Sequence, residues 1–367
     1  MESLNYASKI DLRSDTVSIP TLEMRLSMMH ARVGDDAYGE DVETKALEDT
    51  CAKLFGKEEA LFLPSGTMSN QIAVRTHTCP GDEIITDVSY HVYYYESAPT
   101  SSLAGINFNL IETSDGLIKV KDIESAIARK PRGQLYSPAK LVCLENPVAA
   151  HSGKIVPLGL LEDIYEYCNN SGLRVHLDGA RIFHAASVTN TPLHEYGKTA
   201  DTINLCFSKA LSAPFGSVLI GSSSDISTAK KYRKWYGGAL HQSGFMAAAA
   251  AIALKRGLIN ARACNLLATR FADALRASEY FEVLPVDTNI VLFRLVSDGG
   301  SFVEDAEKQG LLLLTWTMGW TRAVTHPGIT ESEIGRATSI LIAAAENRLL
   351  KFPSNISKER HLFVARS

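Results

Sequence analysis

The chain has no apolar run near the ~20 residues that a helical membrane span needs. Its longest candidate, Phe245 to Leu254, is mostly alanine and stops at Lys255-Arg256. The N-terminus, Met1-Glu2-Ser3-Leu4-Asn5-Tyr6, lacks the basic start and apolar stretch of a signal peptide, so a cytoplasmic protein is expected. Cysteine is scarce: six in 367 residues, with no C-x-x-C pair. That argues against a disulfide framework and against zinc, and no metal is expected. There is no surplus of positive charge either. The formal net charge of -4 gives no electrostatic case for nucleic acid or an anionic membrane. Internal repeats and low-complexity segments are also missing.

What remains is the composition of an ordinary globular protein, 46% hydrophobic and 21% charged, long enough for one large domain and a smaller one. Residues 1–40 read as an N-terminal arm, because Asp11-Leu12-Arg13-Ser14-Asp15-Thr16-Val17 is too polar for a strand core and Pro20 breaks the stretch after it. From Asp41 the spacing of Val42, Leu47 and Leu54 predicts a helix that stops at Gly56. A strand–helix rhythm comes next, with strands expected at 60–63, 83–86, 106–111, 141–144, 175–177, 203–205 and 217–220. That alternation predicts an α/β fold with a mostly parallel sheet. The large domain is expected over 41–255. The texture then changes: a helix over 258–278, short strands at 281–284, 290–293 and 311–315, and a helix over 330–349 predict a small α+β domain over 256–350. A polar tail, 351–367, closes the chain.

Two strand ends carry the chemistry. Thr202-Ile203-Asn204-Leu205-Cys206-Phe207-Ser208-Lys209 delivers a lone lysine. Val175-His176-Leu177-Asp178-Gly179-Ala180-Arg181 delivers an aspartate in the same way. An amine and a carboxylate at neighbouring strand ends suit pyridoxal 5'-phosphate, the amine forming a Schiff base and the carboxylate keeping the pyridine nitrogen protonated. Taken singly, each residue has a plainer reading: Lys209 as a surface lysine, Asp178 as a turn cap, Arg181 as its ion-pair partner. Ser65-Gly66-Thr67, at a strand-to-helix junction, suits a phosphate or is simply an N-cap turn. His91 can stack on a flat ring or sit in its own aromatic cluster. Arg322 suits a substrate carboxylate or lies on an edge strand, and Ser14 adds a hydrogen bond there or is a turn residue. The order of phosphate cup, aspartate and lysine, each at the carboxyl end of an expected strand, favours a ligand site, since open α/β sheets bind ligands there.

These segments, with Val33-Gly34-Asp35-Asp36-Ala37-Tyr38-Gly39-Glu40-Asp41 and Leu177-Asp178-Gly179-Ala180-Arg181-Ile182-Phe183, resemble the L-threonine aldolase family of pyridoxal-phosphate enzymes over about residues 10–350. The resemblance implies the aspartate aminotransferase-like fold (fold type I), with a seven-stranded sheet. It also implies a small amino-acid substrate and a homodimer or homotetramer with active sites at the subunit interface. By motif it makes Lys209 the Schiff-base lysine, Asp178 the partner of the ring nitrogen, and His91 the stacking residue. Ser65, Gly66 and Thr67 would hold the phosphate. Arg181 would reach cofactor and substrate, Ser14 and Arg322 would bind the substrate carboxylate, and Tyr38 would come from a partner subunit.

The departures from the family bear on the reaction. Aldolases of this family usually carry a histidine in the loop before the strand ending Leu-Glu-Asn; here that slot is Leu135 or a neighbour, and 134–140 holds no histidine. The usual Asn-Thr-His is Asn146-Pro147-Val148, a Gly-Gly pair is Ala98-Pro99, and the arginine of Met-Arg-Gln is His241. His241 is left as a weaker cation toward the phosphate or as a new acid/base group. Retro-aldol cleavage needs a base at the β-hydroxyl. Its apparent loss favours proton transfer at Cα, with Lys209 on one face and His91, His241 or Tyr38 on the other. Some fungal alanine racemases resemble threonine aldolases in this way. The expectation is therefore an alanine racemase, with an L-threonine or L-allo-threonine aldolase using His91 or a water as the alternative.

Overall fold

In the computed structural model the described residues are 9–131, 133–296 and 302–351. Most of the polar tail expected at 351–367, and the first residues of the arm, lie outside them.

Seven strands form the main sheet: β2 (Glu59–Leu63), β3 (Glu83–Asp87), β4 (Asn107–Ile111), β5 (Ala139–Glu145), β6 (Arg174–Asp178), β7 (Thr202–Cys206) and β8 (Ser217–Gly221), in the order β2-β8-β7-β6-β5-β3-β4. Only β8 runs against its neighbours. The expected strands match these within a residue or two, because each is a short apolar run bounded by turn residues. Leu61, Leu141, Val175, Ile203 and Leu219 are fully buried, as strands covered on both faces require. The expected α/β architecture with a mostly parallel sheet is the one observed.

Register sets up the site. Glu145 pairs with Asp178, and Asp178 with Asn204, so the last residues of β5 and β6 stand level with Asn204 in the middle of β7. The helix Val42–Phe55 begins where Asp41 caps it, its Oδ1 accepting from Thr44 N at 3.0 Å. It ends at Gly56, whose φ of 64° is left-handed backbone that glycine adopts without strain.

The helix expected to begin at Leu258 instead runs unbroken from Gly244 to Ala277, straight through the expected boundary at 255/256. The alanine run Ala247–Ala251 has high helix propensity and packs on the main core, so nothing stops the helix there. Beyond it stands a four-stranded antiparallel sheet of β9 (Phe281–Val283), β10 (Ile290–Leu295), β12 (Leu314–Thr315) and β13 (Thr321–Val324), ordered β12-β13-β10-β9. Phe271, Phe281, Phe293 and Phe302 cluster against it.

The polar segment at 11–17 is more structured than its composition suggests. A short strand, β1 (Ile10–Asp11), pairs in parallel with β11 (Leu311–Leu312). Leu12 O accepts from Val324 N at 2.8 Å, and Ile10 and Leu12 are fully buried. This segment is stitched to the small sheet and carries Ser14 and Asp15 toward the main one. Among the described residues no helix is long and apolar enough to cross a membrane, and no group of acidic, histidine or cysteine side chains is arranged to hold a metal. All six cysteines are free thiols.

Candidate active site

A cavity of about 160 Å³ opens at the carboxyl ends of the parallel strands. It is lined by Ser65, Gly66, Thr67, Asn70, His91, Asp178, Asn204, Cys206, Ser208 and Lys209. A smaller one beside it shares His91, Asp178 and Lys209 and adds Glu145, Pro147, Ala149, Ala180 and Arg181. The phosphate-cup residues, the aspartate, the histidine and the lysine expected from the sequence therefore share one space.

One wall is a helix N-terminus. Ser65 caps the helix Gly66–His77, its Oγ accepting from Met68 N at 3.2 Å. A Cβ on residue 66 would lie 2.4 Å from Cys206 Sγ, so only glycine lets the helix approach β7. The free N–H groups and dipole of the first turn favour an anion.

Asp178 is the buried anion of the floor. Its Oδ2 accepts from Asn70 Nδ2 at 2.8 Å, and its Oδ1 from Asn204 Nδ2 and Ala180 N, both at 3.0 Å. Burial pushes its carboxyl up, but Lys209, His91 and the Asn70 bond outweigh burial and hold it below the ordinary value. His91 lies on the wall; Glu96 Oε1 holds its Nδ1 at 2.7 Å, and the Tyr95 ring stands 4.9 Å away. Glu145 accepts from His91 N at 2.6 Å and Ala149 N at 2.8 Å; burial and then Asp178 push its carboxyl upward.

Arg181 pairs with Asp15 of the N-terminal segment, not with Asp178. Its Nε donates to Asp15 Oδ2 and its Nη2 to Asp15 Oδ1, each at 2.7 Å. Arg322 is on an interior strand, not an edge: β13 lies between β10 and β12. Its guanidinium stacks 4.6 Å over the Trp316 ring, and its Nη2 donates to Arg13 O at 3.3 Å, but its Nε is buried with no partner among the described residues. Burial and the nearby Arg181 push its pKa down to about 10, so the charge there is poorly compensated and an incoming carboxylate would relieve it. Ser14 lies one residue from Asp15 and caps the short turn Asp15–Val17.

Four of the expected residues line neither cavity: Ser14, Arg322, Tyr38 and His241. Tyr38 is 80% exposed in the short 3-10 turn Asp36–Tyr38. The His241 side chain is 72% exposed and its Nδ1 sits 2.9 Å from Asp35 Oδ2. Conversely, Asp15, Asn70, Glu96, Glu145 and Asn204 were not singled out from the sequence. The one signal for Asn70 and Glu96 was spacing: one helical turn beyond Gly66, and five residues beyond His91. The donor set fits pyridoxal 5'-phosphate: an amine, a buried carboxylate held ionised for the ring nitrogen, a helix N-terminus for the phosphate, and an unsatisfied guanidinium for the amino acid.

A family model described as beta-eliminating lyase matches residues 11–297. The chain is 37% identical over 335 residues to "Low-specificity L-threonine aldolase 1" of Arabidopsis thaliana, covering 89% of this chain and 93% of that one. It is 39% identical over 291 residues to "Low specificity L-threonine aldolase" of Saccharomyces cerevisiae, covering 78% and 74%. The chain belongs to the L-threonine aldolase family of beta-eliminating lyases. Among solved structures, the threonine aldolase of Leishmania major superposes with a TM-score of 0.78 at 21% identity, over 91% of this chain and 99% of that one. That likeness agrees with fold type I.

These relatives overturn the racemase expectation. It rested on the missing histidine near Leu135, a position that does not line this chain's own cavities. Leu135 is 93% exposed in the turn before β5, whereas the cavity lies past Glu145 at the far end of that strand. Seven strand residues separate the two, about 20 Å. The threonine-aldolase-family cavity keeps an imidazole of its own, His91.

Proposed function

We propose that this protein is an L-threonine aldolase, cleaving L-threonine and related β-hydroxy amino acids to glycine and an aldehyde. Pyridoxal 5'-phosphate is the cofactor. The observation that carries the reading is His91, locked by Glu96 on the wall that Lys209 and Asp178 share, in a chain whose curated relatives are named as aldolases.

When bound, the cofactor supplies an electron sink for the pair released at the amino acid's Cα. Lys209 would hold it through the ε-amine, Asp178 through the ring nitrogen, and Ser65, Gly66 and Thr67 through the phosphate. Arg322, with Ser14 and Arg181 beside it, binds the substrate carboxylate. That grip would fix the orientation of the substrate's Cα–Cβ bond, which selects the bond that is cleaved. Glu96 Oε1 accepts a hydrogen bond from His91 Nδ1–H, which leaves Nε2 as the basic nitrogen. Nε2 removes the β-hydroxyl proton as Cα–Cβ breaks, and the aldehyde departs. The amine of Lys209 returns a proton to Cα, giving glycine. A homodimer or homotetramer is the assembly in which the exposed Tyr38 and His241 would act, each in a neighbouring copy's site.

The test is to incubate the loaded enzyme with L-threonine and measure glycine and acetaldehyde, with Lys209→Ala as control. Equimolar products that vanish in the control are expected. D-alanine carrying deuterium at Cα, formed from L-alanine in deuterated water while L-threonine stays intact, would reject the aldolase.

A further inference from the structure

From Asn70 on the cavity wall a row of buried polar side chains runs back into the protein, and no step above uses the residues behind Asn70. Asn70, His176 and Thr202 are each essentially inaccessible, and His77 lies just behind them. Asn70 Nδ2 is 2.8 Å from Asp178 Oδ2 and 3.1 Å from Glu96 Oε1. Glu96 in turn holds His91 Nδ1 at 2.7 Å and accepts from Gln71 Nε2 at 2.7 Å. We propose that Asn70 is a positioning residue that ties the ring-nitrogen carboxylate, Asp178, to the acid–base imidazole, His91, and that His77, Thr202 and His176 form a one-way donor chain that fixes Asn70 in place. The proposal rests on the roles given above to Asp178 and His91.

The direction of every bond follows from the donor inventory. Two carboxylate oxygens face the Asn70 amide nitrogen, so that end donates twice and Oδ1 is left to accept. Its partner at 3.1 Å is His176 Nε2, which must carry the hydrogen. His176 Nδ1 is then a bare acceptor and takes the Thr202 hydroxyl hydrogen at 3.0 Å. That hydroxyl has a single hydrogen, so Thr202 Oγ1 accepts from His77 Nε2 at 2.9 Å. Each donor points toward the cavity, and aligned hydrogen bonds polarise one another. Burial pushes His176 down to about 4 and His77 down to about 3, so both rings are neutral, as the chain requires. Besides the donors Asn70, Asn204 and Ala180 N, the titratable groups facing Asp178 are Lys209, His91, His176, Glu145, Cys206 and Cys143.

A purely structural need would not demand this set. Positions inside a sheet and on the face of a covering helix are filled more cheaply by apolar side chains of the same size. One amide donating to two carboxylates belonging to two functional groups instead fixes their separation. It also keeps His91 Nδ1 protonated, because Glu96 is held facing it.

The test uses the loaded, full-length enzyme. Thr202→Val breaks the chain outside the cavity, and Thr202→Ser preserves it. Asn70→Ala removes the tie itself. The readouts are the pH midpoint of the bound cofactor's visible absorbance, the split of kcat against KM, and the ring 15N shifts of His176. Asn70→Ala is expected to move the midpoint by about one pH unit and to lower kcat about tenfold or more, with KM within about twofold. Thr202→Val should move both the same way by a smaller amount, Thr202→Ser should match the wild type, and His176 should carry its hydrogen on Nε2. An Nδ1–H tautomer at His176 overturns the proposal. So does an unchanged midpoint in folded, loaded Asn70→Ala, whatever its activity. A wild type without aldolase activity sinks the reaction assignment instead, while midpoint and tautomer still judge the tie.

Discussion

Arg181 grips Asp15 with two hydrogen bonds of 2.7 Å, Nε to Oδ2 and Nη2 to Oδ1, and both side chains are buried. The pair joins the N-terminal segment to the turn after β6 and closes one side of the site. Burial raises the Asp15 carboxyl, but the Arg181 guanidinium outweighs it and holds the group well below the ordinary carboxylate range. Removing one partner strands a buried charge. Asp15→Ala is therefore expected to lower unfolding free energy by roughly 3–5 kcal/mol, read by urea denaturation near neutral pH. Because the folded-state pKa is depressed, the contribution is complete above the unfolded carboxyl value and fades as pH falls below it. The variant and the wild type should thus converge in strong acid. A gap that stays constant with pH would show that Asp15 acts through packing alone.

Arg322 makes a different prediction because its Nε lacks a partner among the described residues. A planar, two-pronged donor suits a carboxylate, and lysine offers only a point charge. Arg322→Lys should raise KM for L-threonine by about tenfold to a hundredfold. The visible spectrum of the bound cofactor should stay unchanged, because Arg322 does not line the cavity proposed to hold it. Steady-state kinetics and an absorbance scan of the same preparation check both halves. An unchanged KM would remove Arg322 from the substrate site.

Much of this architecture was legible in the residues because the relevant signals are local. Short apolar runs fixed the strands of the main sheet, and glycine with a hydroxyl neighbour marked the helix N-terminus at Ser65–Thr67. Asp178 and Lys209 were recognisable from their places at strand ends. What stayed hidden depends on distant parts of the chain meeting. Nothing in Asp11–Val17 reveals that Asp15 will face a guanidinium 166 positions away. Asn70 looks like any polar residue on a helix until Asp178, Glu96 and His176 converge on it. Leu135 misled for the same reason: a sequence slot close to Leu144-Glu145-Asn146 is far from it in space once an extended strand intervenes.

Buried neutral histidines give the protein a particular weakness toward acid. Burial pushes His176 and His184 down to about 4 and His77 down to about 3. Each is neutral when folded, yet takes up a proton once unfolded below the ordinary histidine value of about 6.5. Stability is complete above that pH and is lost progressively as pH falls from there toward the folded-state values. The loss is on the order of 3 kcal/mol for each fully displaced histidine. Urea midpoints measured from pH 7.5 to pH 5 should fall steeply, with little change from pH 7.5 to pH 8.5. A flat profile between pH 7 and pH 5 would mean that these rings are not held neutral.

His91 is the residue on which aldol cleavage and simple proton exchange part company. Removing the β-hydroxyl proton needs a base near Cβ, and among the cavity residues the Glu96-held imidazole is the one assigned to it. Exchanging a proton of glycine needs only a base at Cα, the role proposed for Lys209. His91→Asn keeps a polar side chain but has no basic nitrogen. It is expected to slow L-threonine cleavage by about a hundredfold to a thousandfold. Exchange of the glycine Cα proton in deuterated water, tracked by proton NMR, should fall by less than about tenfold, since the imidazole takes no part in it. Cleavage that persists at the wild-type rate would assign the hydroxyl proton to a bound water. Equal losses in both reactions would mean that His91 serves by holding the ring in place and not by taking the proton.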